Sequence, residues 1–511
     1  MEAMNSRSGR ACVCSAGIRR CGAGVLGWIV WIVTMMAGAT TLDEALRKAA
    51  RDEASGDFAA ADAVLAEAIT LDVPTGAARE PLELARERLR RIRRDFRLTR
   101  SQVFESLRDG VRDVTSAEFE GWIRDGLFDV RRIDGEDRFF VSSLSNLFFR
   151  RPDLESRRVK PRSTVLAQES YRRNAEEIRD AALASGRSRV LPKRFRIRMA
   201  LGVQSHSAKA GETVSAWLPV PRRYPHQDAF EMLRSSSPVR GLEAADSPIR
   251  SVHLEQKADP DGSAMFEVEY AYTSWGVWFD LNPARSRRVD VASSPELEAY
   301  LAESPHVRFT PAMRELAAAI SGKETNAVLV ARGFHRWIAT NIRYSYSPEY
   351  STIPDLAESC RSARRGDCGQ MALLFMTLCR AGGIPARWQS GWSIFPGEET
   401  IHDWCEIFLE PWGWVPVDPY MAVYAMQYAE ALKPAEREAL RDFYLGGLTQ
   451  YRMTANADHN QDLRPTKRWM RSDLVDFQRG EVESPSGNLF FDRFDYDLKW
   501  EEIPIKAAAM P

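Results

Sequence analysis

Cysteine is scarce: seven in 511 residues, with Cys12, Cys14 and Cys21 close to the N-terminus. The other four, Cys360, Cys368, Cys379 and Cys405, are too few for a disulfide scaffold. Apolar burial must therefore hold the fold, and a 44% hydrophobic composition can supply several cores. The chain also lacks a charge surplus, with 70 Lys+Arg against 71 Asp+Glu. A balanced surface gives no electrostatic footprint for nucleic acid or for an anionic membrane. Beyond residue 39 no run is long and apolar enough to cross a bilayer. The segment Gly56-Asp57-Phe58 to Ile69 resembles half a tetratricopeptide unit, but no period supports an array.

The first 39 residues have the layout of an export signal. Arg7, Arg10, Arg19 and Arg20 precede the apolar run Val25 to Met36, then Ala37-Gly38-Ala39 offers a cleavage site. The alternative is an uncleaved anchor, because Cys21 to Ala39 reaches about 28 Å as a helix. Either way the body lies outside the cytoplasm, in the periplasm or beyond. Without the leader the chain keeps 66 basic and 70 acidic residues over 472 positions, long enough for about three domains.

Chemistry concentrates in one stretch. Gly366-Asp367-Cys368-Gly369-Gln370 is followed by His402-Asp403-Trp404 and Trp414-Val415-Pro416-Val417-Asp418, so a cysteine, a histidine and an aspartate occur within 51 positions. A nucleophile, a base and an orienting carboxylate are the minimum set for acyl transfer through a thioester. Met371, Ala372, Phe375 and Cys379 fall at helical spacing and Gly382-Gly383 with Pro385 ends the run. Cys368 is thus expected in the first turn of a largely buried helix, whose free N–H groups favour a thiolate. Taking a thiol from about 8.5 to about 6 requires roughly 3.4 kcal/mol. A helix start supplies ~0.3–1 kcal/mol, so a cationic partner is needed.

Of seven histidines only His402 and His459 follow Cys368. His402 to Leu409 reads as a strand, Glu410-Pro411-Trp412-Gly413 as a turn and Trp414 to Asp418 as the return strand. That hairpin brings Asp418 back towards His402, about three positions out of step for a four-residue loop. His459 sits in a polar, loop-like stretch.

These motifs, with Leu378-Cys379-Arg380-Ala381-Gly382-Gly383-Ile384-Pro385 between them, resemble the core of the transglutaminase-like superfamily, a papain-type cysteine fold. Phe334 to Ile338 and Asn341 to Tyr344 resemble the helix and strand before the family's cysteine, and Trp217-Leu218-Pro219-Val220-Pro221 a piece of the β-sandwich that precedes the core in exported relatives. The resemblance implies an α+β fold: a papain-like transglutaminase core preceded by a β-sandwich domain and an N-terminal helical region. It implies Cys368 as nucleophile, His402 as base and Asp418 as orienter. The expected division is 1–39 leader, 40–185 helical region, 186–300 β-sandwich, 301–430 catalytic core and 431–511 an extension completing that core. Asp403 and Cys405 depart from the small or apolar residues common in relatives. For the oxyanion, the Cys368 backbone N–H, Tyr344 and Tyr346 are the candidate donors.

Rival readings attach to the same residues. Cys360, Cys368, His402 and Cys405 could offer four ligands to zinc, and Cys360 could pair with Cys405. Cys368 and Cys379 cannot pair, since eleven helical positions span about 16 Å. Residues 115–141 have the pattern of a winged helix, which without a basic surplus suits an interaction or spacer unit. Arg86 to Arg97 reads as a solvated helix face with Glu87 and Asp95 as partners. The sequence therefore predicts an exported cysteine enzyme acting on peptide or amide bonds of a protein, peptide or cell-wall peptide, more hydrolase than transferase. No cofactor or metal is called for, nucleic acid is not a partner, and any membrane contact is through the leader. The alternative is a non-catalytic protein- or cell-wall-binding module.

Overall fold

The computed structural model describes residues 42–70, 79–160, 165–287 and 294–505. The 1–39 leader, with its signal or anchor reading, lies outside the described residues. The chain divides into two compact units, 1–89 and 90–511. The first holds helix α1 (42–55), α2 (Phe58–Thr70) and the start of α3 (Glu80–Asp95). Helix α2 buries Phe58, Ala61 and Leu65, one stripe at helical spacing. Arg86 pairs with Asp62 at 2.8 Å and Arg88 with Glu53.

The second unit begins within α3. Its arginine row is not the solvated face expected from sequence. Arg90 grips Asp492 (2.6 Å), and Arg91, 5% exposed, donates to the Ser472 carbonyl (2.6 Å) and the Ser351 hydroxyl. Asp95 accepts the Glu349 N–H (2.9 Å). Guanidinium forks find fixed carbonyl and carboxylate partners here, which no periodicity in α3 could announce. Next come α4 (Arg100–Gly110), α5 (Ser116–Arg124), β1 (Val130–Ile133), β2 (Glu136–Phe139) and α6 (Ser143–Arg150), packed on Phe119, Trp122, Phe128, Phe139 and Leu147. Thr99 with Gln102 and Thr115 with Glu118 form capping boxes that start α4 and α5. Helix α6 ties this cluster to residues 345–346: Asn146 exchanges hydrogen bonds with the Tyr346 backbone and Arg150 donates to Ser345 Oγ.

Helix α7 (Val165–Ser185) leads into six strands: β3 (Arg189–Val203), β4 (Thr213–Pro219), β5 (Gln227–Ser235), β6 (Val239–Leu242), β7 (Ser251–Lys257) and β8 (Ala264–Trp278). Alternation in β3 buries Phe195, Ile197, Met199 and Leu201 against Val214, Ala216 and Leu218 of β4, the inner faces of two sheets.

The core follows with α8 (Pro311–Ser321), α9 (Ala327–Asn341), β9 (Arg343–Tyr344), α10 (Leu356–Ala363), β10 (Arg365–Gly366) and α11 (Cys368–Ala381). Three strands come next, β11 (Ala386–Ser393), β12 (Thr400–Leu409) and β13 (Gly413–Val417), then α12 (Pro419–Gln427) and α13 (Pro434–Phe443). Met371, Ala372, Phe375 and Cys379 of α11 are fully buried together with Cys405, Ile407 and Val415 of the sheet. This is the α+β architecture expected, with the core's main helix laid on an antiparallel sheet.

The last strands are β14 (Gly447–Leu448), β15 (Arg452–Asn456), β16 (Glu481–Ser484), β17 (Gly487–Leu489) and β18 (Phe494–Ile503). Of these only β15 joins the sheet of β11 to β13, ordered β13-β12-β11-β15. Strands β14 and β18 flank β8 and β3, with β5 also paired to β8, while β16 and β17 extend β4-β7-β6. Residues 431–511 thus add one strand to the sheet of β11 to β13 and four to the sheets built on β3 and β4. The long β3 leaves a full edge of backbone groups that β18 pairs over ten residues.

Candidate active site

Cys368 is the first residue of α11, half-buried. The motif around it is a capping box: Asp367 Oδ1 accepts the Gln370 N–H (3.1 Å), and Gln370 Oε1 accepts the Asp367 N–H (3.3 Å). Gly369 is dictated by crowding, since a Cβ there would lie 2.2 Å from the Tyr350 hydroxyl and 2.7 Å from Asp403 Oδ2. Tyr350 donates to Asp367 Oδ1 (2.7 Å). Burial lifts the Asp367 carboxyl to about 6, against the Gln370 N–H and Tyr350 hydroxyl that favour its charge.

The sequence expected the helix start to favour a thiolate. In the structure burial, then the Asp403 and Asp367 carboxylates, push the Cys368 thiol well above its ordinary range. A helix start offers ~0.3–1 kcal/mol, less than the ~1.4 kcal/mol that moves a pKa by one. The thiol donates to Asp403 Oδ2 at 3.6 Å, and among the described residues no hydrogen bond joins Cys368 to His402.

His402 and Asp418 do come together. Strand β12 pairs Leu409 with Gly413 and Cys405 with Val417, which sets Asp418 level with Trp404, two positions from His402. The offset is smaller than expected because Gly413, at φ 78°, already belongs to the return strand. His402 Nε2 lies 2.8 Å from Asp418 Oδ2, and both side chains are buried. Asp418 also caps α12, its Oδ1 accepting the Met421 N–H (3.1 Å). Burial works to raise Asp418, but His402 and Arg452 prevail and hold it at about 2. Burial lowers His402, Asp418 opposes that, and Arg452 adds to it.

Arg452 was not singled out from the sequence. It sits on β15, 1% exposed, with Nη2 donating to Asp418 Oδ2 (2.7 Å) and Nη1 to Ser393 Oγ (2.6 Å). Its one sequence signal is an arginine within the otherwise apolar and small run Met453-Thr454-Ala455 and its neighbour Tyr451. Gln478 was also missed. Its Nε2 donates to the His402 carbonyl (2.9 Å) and to Asp403 Oδ1 (2.5 Å), tying His402 and the thiol's neighbour to one side chain. Of the oxyanion candidates, Tyr344 interacts electrostatically with Cys368, while Tyr346 is 44% exposed.

The remaining readings resolve plainly. His459 is buried, with Nε2 contacting Ser304 Oγ and the Pro305 carbonyl, so it is a packed histidine and not part of a solvated loop. Cys360, Cys368, Cys379 and Cys405 are all free thiols, so the Cys360–Cys405 pairing is not formed; Cys405 donates instead to the Val417 carbonyl. No cluster of three or more His, Cys, Asp or Glu among the described residues suits a metal ion. Nor is any helix among them long and apolar enough to cross a membrane.

Comparison with known proteins locates the likeness in this region. A family model described as the transglutaminase-like superfamily matches residues 314–419. An uncharacterized protein of Haemophilus influenzae is 25% identical over 234 residues, 41% of this chain, which covers 63% of that relative's length. Among solved structures, a Cytophaga hutchinsonii protein whose name proposes a cysteine protease covers 62% of this chain and 93% of its own, at 16% identity and TM-score 0.40. The periplasmic domain of TgpA from Pseudomonas aeruginosa covers 53% of this chain and 95% of its own, at 17% identity and TM-score 0.25. Residues 314–419 carry a transglutaminase-like domain.

Proposed function

We propose that the chain is an exported cysteine enzyme that cleaves peptide or amide bonds through a thioester on Cys368. The observation that carries this reading is the buried His402–Asp418 pair at 2.8 Å, beside a cysteine at a helix start. Asp418 holds His402 by Nε2, which fixes the tautomer and leaves Nδ1 as the ring nitrogen available to the thiol. In this mechanism His402 takes the Cys368 proton, the sulfur attacks the carbonyl carbon, and the imidazolium returns the proton to the leaving amine. Water then resolves the thioester with His402 as base; an amine in its place would make the enzyme a transferase. The Cys368 backbone N–H and the Tyr344 hydroxyl are the donors available to the oxyanion. A protein or peptide substrate, including a cell-wall peptide, fits the export signal read in residues 1–39.

A second reading rests on the thiol's hydrogen bond to Asp403: a non-catalytic module that binds protein or cell-wall polymer and keeps a quiescent cysteine. Iodoacetamide labelling of Cys368 against pH, in the wild type and in His402→Ala, separates the two. The catalytic reading expects labelling that falls by at least about tenfold without His402. Identical profiles in the two proteins would favour the binding module.

A further inference from the structure

Asp403 stands where the family resemblance leads one to expect a small or apolar residue, and it meets the nucleophile directly. Alternation along β12 puts Asp403 with Cys405, Ile407 and Leu409, the last three in the core beneath α11. Trp404 instead packs with Val277 and Leu448, and Glu406 accepts from Tyr224. Asp403 is 3% exposed, with Oδ2 3.6 Å from the Cys368 sulfur and Oδ1 held by Gln478 Nε2.

Among the described residues no cation pairs with Asp403 directly. From α11 it faces Cys368 and the capping Asp367, and the Tyr350 hydroxyl adjoins it over Gly369. From the 472–479 segment come Asp473 and Asp476, each with one buried carboxylate oxygen lacking a hydrogen-bond partner. The nearby Arg479 is committed to Glu349 through two 3.0 Å bonds and stands 3.7 Å from Asp473. His402, the preceding residue, is turned to Asp418. Burial first, then Asp476 and Asp367, raise the Asp403 carboxyl far above the usual carboxylate range.

We propose that Asp403 is a positioning residue whose proton decides whether the Cys368 thiol is held back or released for catalysis. Ionised, Asp403 accepts the S–H and keeps the proton on sulfur. Protonated, it donates its own O–H to the sulfur, so the thiol proton is free to pass to His402 Nδ1. The products of that transfer are a thiolate and an imidazolium, with the Asp403 proton unmoved. The 472–479 segment thus sets the pH at which the nucleophile becomes competent, by crowding acids around Asp403.

This inference rests on Cys368 being the nucleophile, yet its test reads the thiol itself. In Asp403→Asn the Gln478 donor selects the amide oxygen, which turns the amide N–H2 to the sulfur as a fixed mimic of the protonated acid. The measurements are the ultraviolet thiolate titration and the iodoacetamide labelling rate across pH, in the full chain and in the His402→Ala background. At alkaline pH, where wild-type Asp403 has ionised, labelling of the variant should be faster by about three- to tenfold, because each unit of thiol pKa changes thiolate tenfold while nucleophilicity offsets part of it. The thiolate titration should move to lower pH, with and without His402. Coincident wild-type and Asp403→Asn profiles, or slower labelling in the variant, would overturn the proposal. Should the shift appear in a protein that shows no His402 dependence, the Asp403 coupling stands and the catalytic reading fails.

Discussion

Asp418 and Asp403 are both buried carboxylates near Cys368 and His402, yet their surroundings are opposite. Asp418 has His402, Arg452 and a helix N–H around it, and its pKa sits at about 2 despite burial. Asp403 has a thiol, an amide and three further acids around it, and its carboxyl is pushed up. Burial alone favours the neutral acid; an imidazole first, then a guanidinium, within hydrogen-bond reach reverse that preference. One end of the site is therefore an anion held against His402, and the other an acid with a raised pKa next to Cys368.

The comparison breaks most visibly at Asp418. Asp418→Asn should leave the fold in place but present an amide to His402, lowering turnover by roughly 10²–10⁴-fold, as expected for a lost orienting carboxylate. Turnover within a factor of about two of wild type would remove Asp418 from the machinery. Arg452→Met comes next. It strands a buried carboxylate, so a denaturant titration should register a loss of ~3–5 kcal/mol. With its opposing cation gone, His402 should ionise at higher pH, and the acid limb of the Cys368 labelling profile should move upward. An unchanged limb would mean that Arg452 braces the sheet without tuning the base.

The smallest effect concerns stability against pH. Burial lifts Asp95 and Asp367 to about 6 and Asp476 to about 7. The folded state therefore holds these protons more tightly than the unfolded chain, whose aspartates titrate near about 3.9. Their stabilisation is full below that value and is lost as pH rises through about 6 to 7. Asp418 acts the other way, with stability lost as pH falls towards about 2. Buried His226 and His335, held down at about 4, act against this decline, so it is read by difference: the Tm of Asp476→Asn relative to wild type should rise from about pH 4 to about pH 7. A slope unaffected by the substitution would assign the decline to other groups.

Much of the site was legible because its signals are local. A capping aspartate, a cysteine and a returning glutamine announce a helix start, and Gly382-Gly383 announces its end. The β12–β13 hairpin was legible from its turn and its aromatic alternation, to within one position of register. The arginine row of α3 misled for the converse reason: its partners Asp492, Ser351 and Ser472 lie hundreds of positions away. Which sheets the strands of 431–511 would join was not legible, because strand pattern reports burial and not which sheet edge is unpaired.

The sequence by itself determined the order of Cys368, His402 and Asp418, the helix that presents the thiol and the hairpin that returns Asp418 to His402. Each of these follows from propensity, capping and turn chemistry within a few residues. Only the tertiary structure decided that Arg452 would anchor Asp418, that Gln478 would bind His402 and Asp403 together, and that the thiol would meet Asp403. Those choices depend on which buried polar atoms the folded chain brings within hydrogen-bond distance, and burial makes every one of them costly to leave unpaired.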